Sequence, residues 1–108
     1  MEMCSPFGWH ELQRPKLEEI LQKLGQFESM TWNEILVKHK KRNHSVEVYK
    51  LCSRAQKRLE TLRLDLDQIV SLRLSGEERV WGYRIEHTLN LLWWDPLHEV
   101  CPSEKRNT

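Results

Sequence analysis

With 108 residues, a net charge of +1 and 39% apolar residues, the chain is long enough for one hydrophobic core and too short for two, so a single domain over 1–108 is expected. No apolar run approaches the roughly 18 residues of a membrane span, and the N-terminus carries no basic segment followed by a long apolar stretch. A membrane or secreted protein is therefore not expected, and the cytoplasm is the default location.

The predicted elements begin with a helix. Pro15 suits its first turn, Leu17, Ile20, Leu21 and Leu24 recur at helical spacing on one stripe, and Gly25 marks its stop. In "MTWNEI", Thr31 and Glu34 have the spacing of a capping box, and Met30 and Ile35 stand where a hydrophobic staple would be, which predicts a short second helix. It should run out in "VKHKKRNHS", a basic loop containing Lys40, Lys41 and Arg42. "SVEVY" has the alternation of a short strand or an extended entry to the next element. Ser53 with Gln56 repeats the capping pattern, and Leu51, Ala55, Leu59 and Leu62 line one side of a third helix. Arg54, Lys57 and Arg58 fall on the neighbouring stripe, where they form a cationic edge.

From Asp67 the apolar period shortens to two, and helices give way to sheet. "QIVSLRLS" places Val70, Leu72 and Leu74 on one face and Ile69, Ser71 and Arg73 on the other. "SGEE" is a hairpin turn in which Gly76 can take positive φ. In "RVWGYRI" Arg79, Trp81, Tyr83 and Ile85 share a face, "EHT" turns again, and "LNLLWW" sets Leu89, Leu91 and Trp93 against Asn90, Leu92 and Trp94. The fold class is α+β: N-terminal helices over 10–63 packed on one face of a three- to four-stranded antiparallel meander over 68–101, with 103–108 as a frayed tail. Because neighbours on a strand face opposite sides, one of Trp93 and Trp94 enters the main core and the other meets a second layer or a partner. Asp95-Pro96 opens a turn whose backbone amides the Asp95 carboxylate can accept, which favours a structural role for it over catalysis.

Cys4, Cys52 and Cys101 are widely spaced and read as reduced thiols. Cys4, His10, His98 and Cys101 would supply a zinc ligand set only if the chain ends meet, and their spacing matches no zinc motif, so no metal or cofactor is expected.

Charge is distributed unevenly. Residues 38–63 hold nine Lys or Arg against two acids, Glu47 and Glu60, a local surplus of seven. Such a surplus attracts a polyanion, RNA first, or else serves as a solvated face. Arg73 and Arg84 occupy polar strand positions and, with Arg79, would suit phosphates, with Trp81 or Tyr83 to stack a base; pairing with Glu77, Glu78, Glu86 or Glu99 is the plainer alternative. No phosphate loop, dinucleotide glycine pattern, His-Glu-x-x-His or nucleophile elbow is present, and His98, then His87, are the candidates for acid–base work.

From about Val46 to Val100 the order of extended segment, basic helix and three-stranded meander resembles the RelE/ParE-like superfamily of small bacterial toxins. The similarity is carried by "ERVWGYRIEHTLNLLWWDPLHEV", with Tyr83-Arg84 ahead of an apolar strand and a His-x-Val ending at His98 and Val100. "LLWWDPLHEVCPS" is also similar to small bacterial proteins loosely associated with that group. The resemblance implies a metal-free endoribonuclease that cuts messenger RNA on the ribosome and is covered by a protein antitoxin. By position it implies Arg84 and His98 in the site, with Lys57 and Arg58 matching only in lying on the basic helix. Joined to the cations and aromatics read above, the expected site is Arg84, His98 and Arg73 as catalytic residues, with RNA bound through Arg54, Lys57, Arg58, Lys40, Lys41, Arg42, Trp81 and Tyr83. The competing expectation is a noncatalytic interaction module that holds a protein through the outward-facing tryptophan and the basic loop.

Overall fold

The change of period at Asp67 produces the element that organises the molecule. The computed structural model, which describes residue 9 and residues 12–25, 30–38 and 43–102, has a four-stranded antiparallel sheet in chain order β1–β2–β3–β4. The strands are β1 His44–Glu47, β2 Gln68–Ser75, β3 Glu78–Ile85 and β4 Thr88–Asp95. "SVEVY" thus supplies a real edge strand, paired from His44↔Ser71 to Glu47↔Gln68, before a 3₁₀ turn at Val48–Lys50. The β2–β3 turn uses the positive φ of Gly76 (49°), whereas the β3–β4 turn holds Glu86 at φ 55°. Helix α1 spans Arg14–Gly25, a π-helical segment Glu34–Lys38, and helix α2 Ser53–Thr61. The class is α+β, as the pattern predicts.

Helices cover both faces of the sheet, not one. On the first face Ile69, Trp81, Leu92 and Trp93 pack with Leu51, Ala55 and Leu59 from the α2 region and with Val100. On the second, Val80 and Trp94 meet Ile20 of α1 and Trp9, while Val70 and Leu72 meet Ile35. The reason is in the strands: Ile69 and Val70 are both buried, as are Leu92, Trp93 and Trp94. A sheet apolar on both sides must be covered on both. The second layer offered to one member of the tryptophan pair is therefore intramolecular. Trp93 enters the α2 side, and Trp94 stacks at 6.4 Å between ring centroids against Trp9.

A bulge in β4 breaks the expected alternation. Trp81 pairs with Trp93 but Gly82 pairs with Leu91, so Leu92 is the extra residue. Leu89 and Leu91 consequently pack on the α1 side, and Leu92 joins Trp93 on the α2 side. Gly82 sits beside the bulge because the β4 backbone passes too close for a side chain.

The predicted capping box forms. The Thr31 amide donates to Glu34 Oε1 at 2.9 Å and the Glu34 amide to Thr31 Oγ1 at 3.2 Å. At α2 the expected Ser53 cap does not form: Cys52 precedes the helix and makes no side-chain cap, and Gln56 Nε2 reaches back to the carbonyls of Leu51 (2.8 Å) and Tyr49 (3.2 Å). The far end of α2 closes with the Leu64 amide donating to the Leu59 carbonyl at 3.0 Å. That closure puts Arg63 at φ 59°, in the left-handed position where glycine is usual. Arg63→Gly is expected to raise stability by about 0.5–1 kcal/mol, the ordinary penalty for a side chain in this conformation, read as a rise in denaturation midpoint. A loss of stability would show that the arginine side chain contributes more than its backbone strain costs.

Lys16 ties α1 to the β2–β3 hairpin, with Nζ 2.7 Å from Glu78 and 2.8 Å from Glu19, over the Trp94 ring at 5.7 Å. Burial alone would raise the Glu78 carboxyl, but hydrogen bonds from Lys16 and Ser75 outweigh it and hold its pKa below the ordinary 4.5. Hydrogen bonds to Glu19 and Glu78 lift Lys16 above 10.5. A carboxyl with a lowered pKa stabilises the fold above its unfolded value and ceases to as pH falls through the folded one; an amine with a raised pKa does so below its unfolded value. The contact thus favours folding between these limits. Stability should fall on acidification below pH 4.5, less steeply in Lys16→Met, as acid titration followed by circular dichroism would show.

Candidate nucleic-acid interface

Three residues lie in register across three strands: Arg73 on β2 faces Arg79 on β3, which faces Asp95 on β4. Arg79 is two residues from Trp81, whose indole joins the core beneath α2, so this row leaves the sheet on the α2 side. The two guanidinium groups converge on one acceptor. Arg73 Nε donates to the Gly76 carbonyl at 3.1 Å and Arg79 Nη1 to the same oxygen at 2.7 Å. Arg79 Nη1 also reaches the Glu78 carbonyl at 3.2 Å. Burial first, then the adjacent Arg73 charge, pull the Arg79 pKa below its ordinary value against the opposing influence of Asp95 and Glu77. Neither arginine forms a salt bridge with a described residue. Two like charges held side by side in this way are what an incoming anion would stabilise.

Asp95 closes the row and is wholly buried. Its carboxylate accepts the Trp81 indole N–H at 3.1 Å and the amides of Glu99 (2.8 Å) and Val100 (3.0 Å). It is the fastening of the chain after β4 to the core, the structural role that the Asp-Pro turn suggested. That fastening turns the chain through His98, half-buried and at φ 57°, and seats Val100 so that its carbonyl accepts the Cys52 amide at 2.8 Å, next to the start of α2.

Helix α2 lies over the same face of the sheet. Arg54 and Lys57 are exposed, and so is Arg63 just beyond the helix, while Arg58 is half-buried. The cationic edge is present, with Arg58 set deeper than its neighbours. Lys57 and Arg63 form no salt bridge with a described residue.

The remaining sequence candidates fall elsewhere. Arg84 alternates onto the opposite face and pairs with Leu89 near the β3–β4 turn, at the other end of β3 from Arg79. Its guanidinium lies 4.6 Å from the centroid of the Trp32 ring, and its Nε donates to the Glu86 carbonyl at 3.0 Å. Arg84 and Arg73 therefore do not meet, and a single catalytic group made of Arg84, His98 and Arg73 is not assembled. Trp81 is 1% exposed, so its ring offers no face to a base: its hydrophobic bulk and its bond to Asp95 both hold it in the core. Tyr83 is half-buried against the same core. Trp94, the member of the pair that does not enter the α2-side core, is covered by Trp9 and α1, which removes the aromatic anchor of the interaction-module alternative. Lys40, Lys41 and Arg42 lie outside the described residues, as do Cys4, His10 and 103–108. Among the described residues no three metal-ligating side chains cluster, and no helix is long and apolar enough to cross a membrane.

Arg79, grouped with Arg73 as a phosphate ligand, is absent from the site expected from sequence, and Arg63 enters there only through the basic surplus. Spacing alone does not bring Arg79 into place: a two-residue turn pairs Ser75 with Glu78 and would set Arg79 opposite Leu74, and a register shift between Arg73 and Ser75 is what puts Arg73 opposite Arg79. Nothing in the sequence marked Arg63 as the left-handed residue, since no glycine stands there. Comparison of the chain with family models, with curated proteins and with solved structures finds no match.

Proposed function

We propose that this is a toxin-like RNA-binding protein whose phosphate contacts fall on the α2 side of the sheet. Arg73 and Arg79 grip one phosphate from the β2–β3 hairpin, and Lys57 and Arg63, with Arg54 and Arg58, meet others along the strand. The observation that carries this reading is the convergence of Arg73 and Arg79 on the Gly76 carbonyl at 3.1 and 2.7 Å with no carboxylate salt bridge to either among the described residues. Guanidinium groups presented as a pair suit the oxygens of a phosphodiester. In this reading metal-free cleavage of messenger RNA falls to His98 with Arg73 and Arg79, since Arg84 stands on the other face. An acidic antitoxin would compete with RNA for the same cations.

Binding of a fluorescent single-stranded RNA, measured by anisotropy, tests this. With one phosphate held by the Arg73–Arg79 pair and one each by Lys57 and Arg63, and a slope of about 0.7 per phosphate, affinity should fall at least roughly 20-fold between about 50 and 200 mM salt. The double variant Arg73→Ala, Arg79→Ala should lower that slope by about 0.7. Arg84→Ala should leave it unchanged. A slope that Arg84→Ala reduces and the double variant does not would refute the assignment.

A further inference from the structure

The sheet face opposite α2 has its own site. Between α1, the capped segment and the β3–β4 hairpin lies a cavity of about 470 Å3, walled by Leu24, Met30, Trp32, Ile35, Leu72 and Leu89, with His87 of the hairpin also on its lining. That volume lies within the roughly 300–1,000 Å3 of small-molecule sites. Apolar walls select a hydrocarbon body, and one cation stands at hand. Arg84 stacks its guanidinium on Trp32, itself a wall of the cavity, at 4.6 Å, and is held from behind by the Glu86 carbonyl at 3.0 Å. Its terminal nitrogens make no hydrogen bond to a described residue. The carbonyl that holds it belongs to Glu86, which the two-residue β3–β4 turn fixes at φ 55°.

We infer that this cavity binds a small amphiphilic carboxylate, an alkyl or aryl acid, with its hydrocarbon against Trp32, Leu72 and Leu89 and its carboxylate on Arg84. A stacked guanidinium is oriented before the ligand arrives, which reduces the entropy lost on pairing. The inference is independent of the RNA reading, which uses the other face of the sheet.

Decanoate and the uncharged decanol serve as probes, titrated into the intact protein and followed by amide chemical shifts. Decanoate should produce saturable shifts centred on Trp32, Ile35, Leu72 and Leu89, and should bind at least tenfold more tightly than decanol. Arg84→Gln, at an exposed position, should remove that preference while leaving decanol binding unchanged. Leu21→Trp, on a wall residue that is 48% exposed, should block both probes. Equal affinity for decanoate and decanol, unchanged preference in Arg84→Gln, or shifts that do not saturate would overturn the proposal. Loss of RNA binding in the Arg73→Ala, Arg79→Ala variant has no bearing on these outcomes, so the two readings fail separately.

Discussion

Asp95→Ala is expected to cost about 4 kcal/mol or more, enough to leave a domain of this size marginal or unfolded. The size follows from what the carboxylate does. It is wholly buried and accepts three donors, the Trp81 indole and the Glu99 and Val100 amides, at 2.8–3.1 Å. Alanine strands those donors, and each buried unpaired donor costs roughly 1–3 kcal/mol. Val100 would also lose its seat, and with it the Cys52–Val100 contact that positions the start of α2. Asp95→Asn should be milder: an amide oxygen in the place of Oδ2 keeps Trp81 and Val100 and opposes only the Glu99 amide, which is part-buried. Urea unfolding gives the comparison as a shift in midpoint at constant slope. A cost below about 1 kcal/mol for Asp95→Ala would contradict the fastening role.

Gly82→Ala should destabilise by about 2–3 kcal/mol, in the overpacking range, although replacing a strand glycine ordinarily helps by roughly 0.4–1 kcal/mol through the unfolded chain. The added Cβ would lie 2.6 Å from the Asn90 carbonyl oxygen and 2.9 Å from Leu89 Cδ1. The first is backbone, paired in the β3–β4 ladder, and cannot rotate away. The strands must part at the bulge, where Leu92 already leaves the ladder. Gly76 is the control. Its Cβ would meet nothing within 4 Å and only its φ of 49° objects, so Gly76→Asn, a residue that tolerates this conformation, should change stability by less than about 1 kcal/mol. Thermal unfolding of both variants separates contact from conformation. Equal effects at the two sites would mean that the close approach at Gly82 relaxes freely.

The sequence was most legible where a residue's role is local. The capping box at Thr31 and Glu34, the stripe through Ile20, the hairpin glycine at 76 and the amide-accepting role of Asp95 all follow from spacing of a few positions, and each forms. The layer count is legible in principle, since adjacent Ile69 and Val70 cannot both face one core, but Ser71 and Arg73 on the face of Ile69 make that side resemble a wet one. The bulge was not legible: "LNLLWW" is apolar in either phase, so the slip at Leu92 leaves no trace in the pattern. The site was legible in composition and not in placement. Which arginines meet depends on a register shift between Arg73 and Ser75, which brings Arg73 opposite Arg79, and on strand parity and hairpin position, which send Arg84 to the other face and the far end of β3.

The measurement that tests the functional account most directly is a residue-resolved footprint of single-stranded RNA on the protein from amide and arginine side-chain chemical shifts. Shifts concentrated on Arg73, Arg79, Lys57 and Arg63, and abolished by raising salt from about 50 to 200 mM, are the predicted result. Shifts centred on Arg84 and Trp32, or no salt-sensitive shifts on the α2 side, would contradict it.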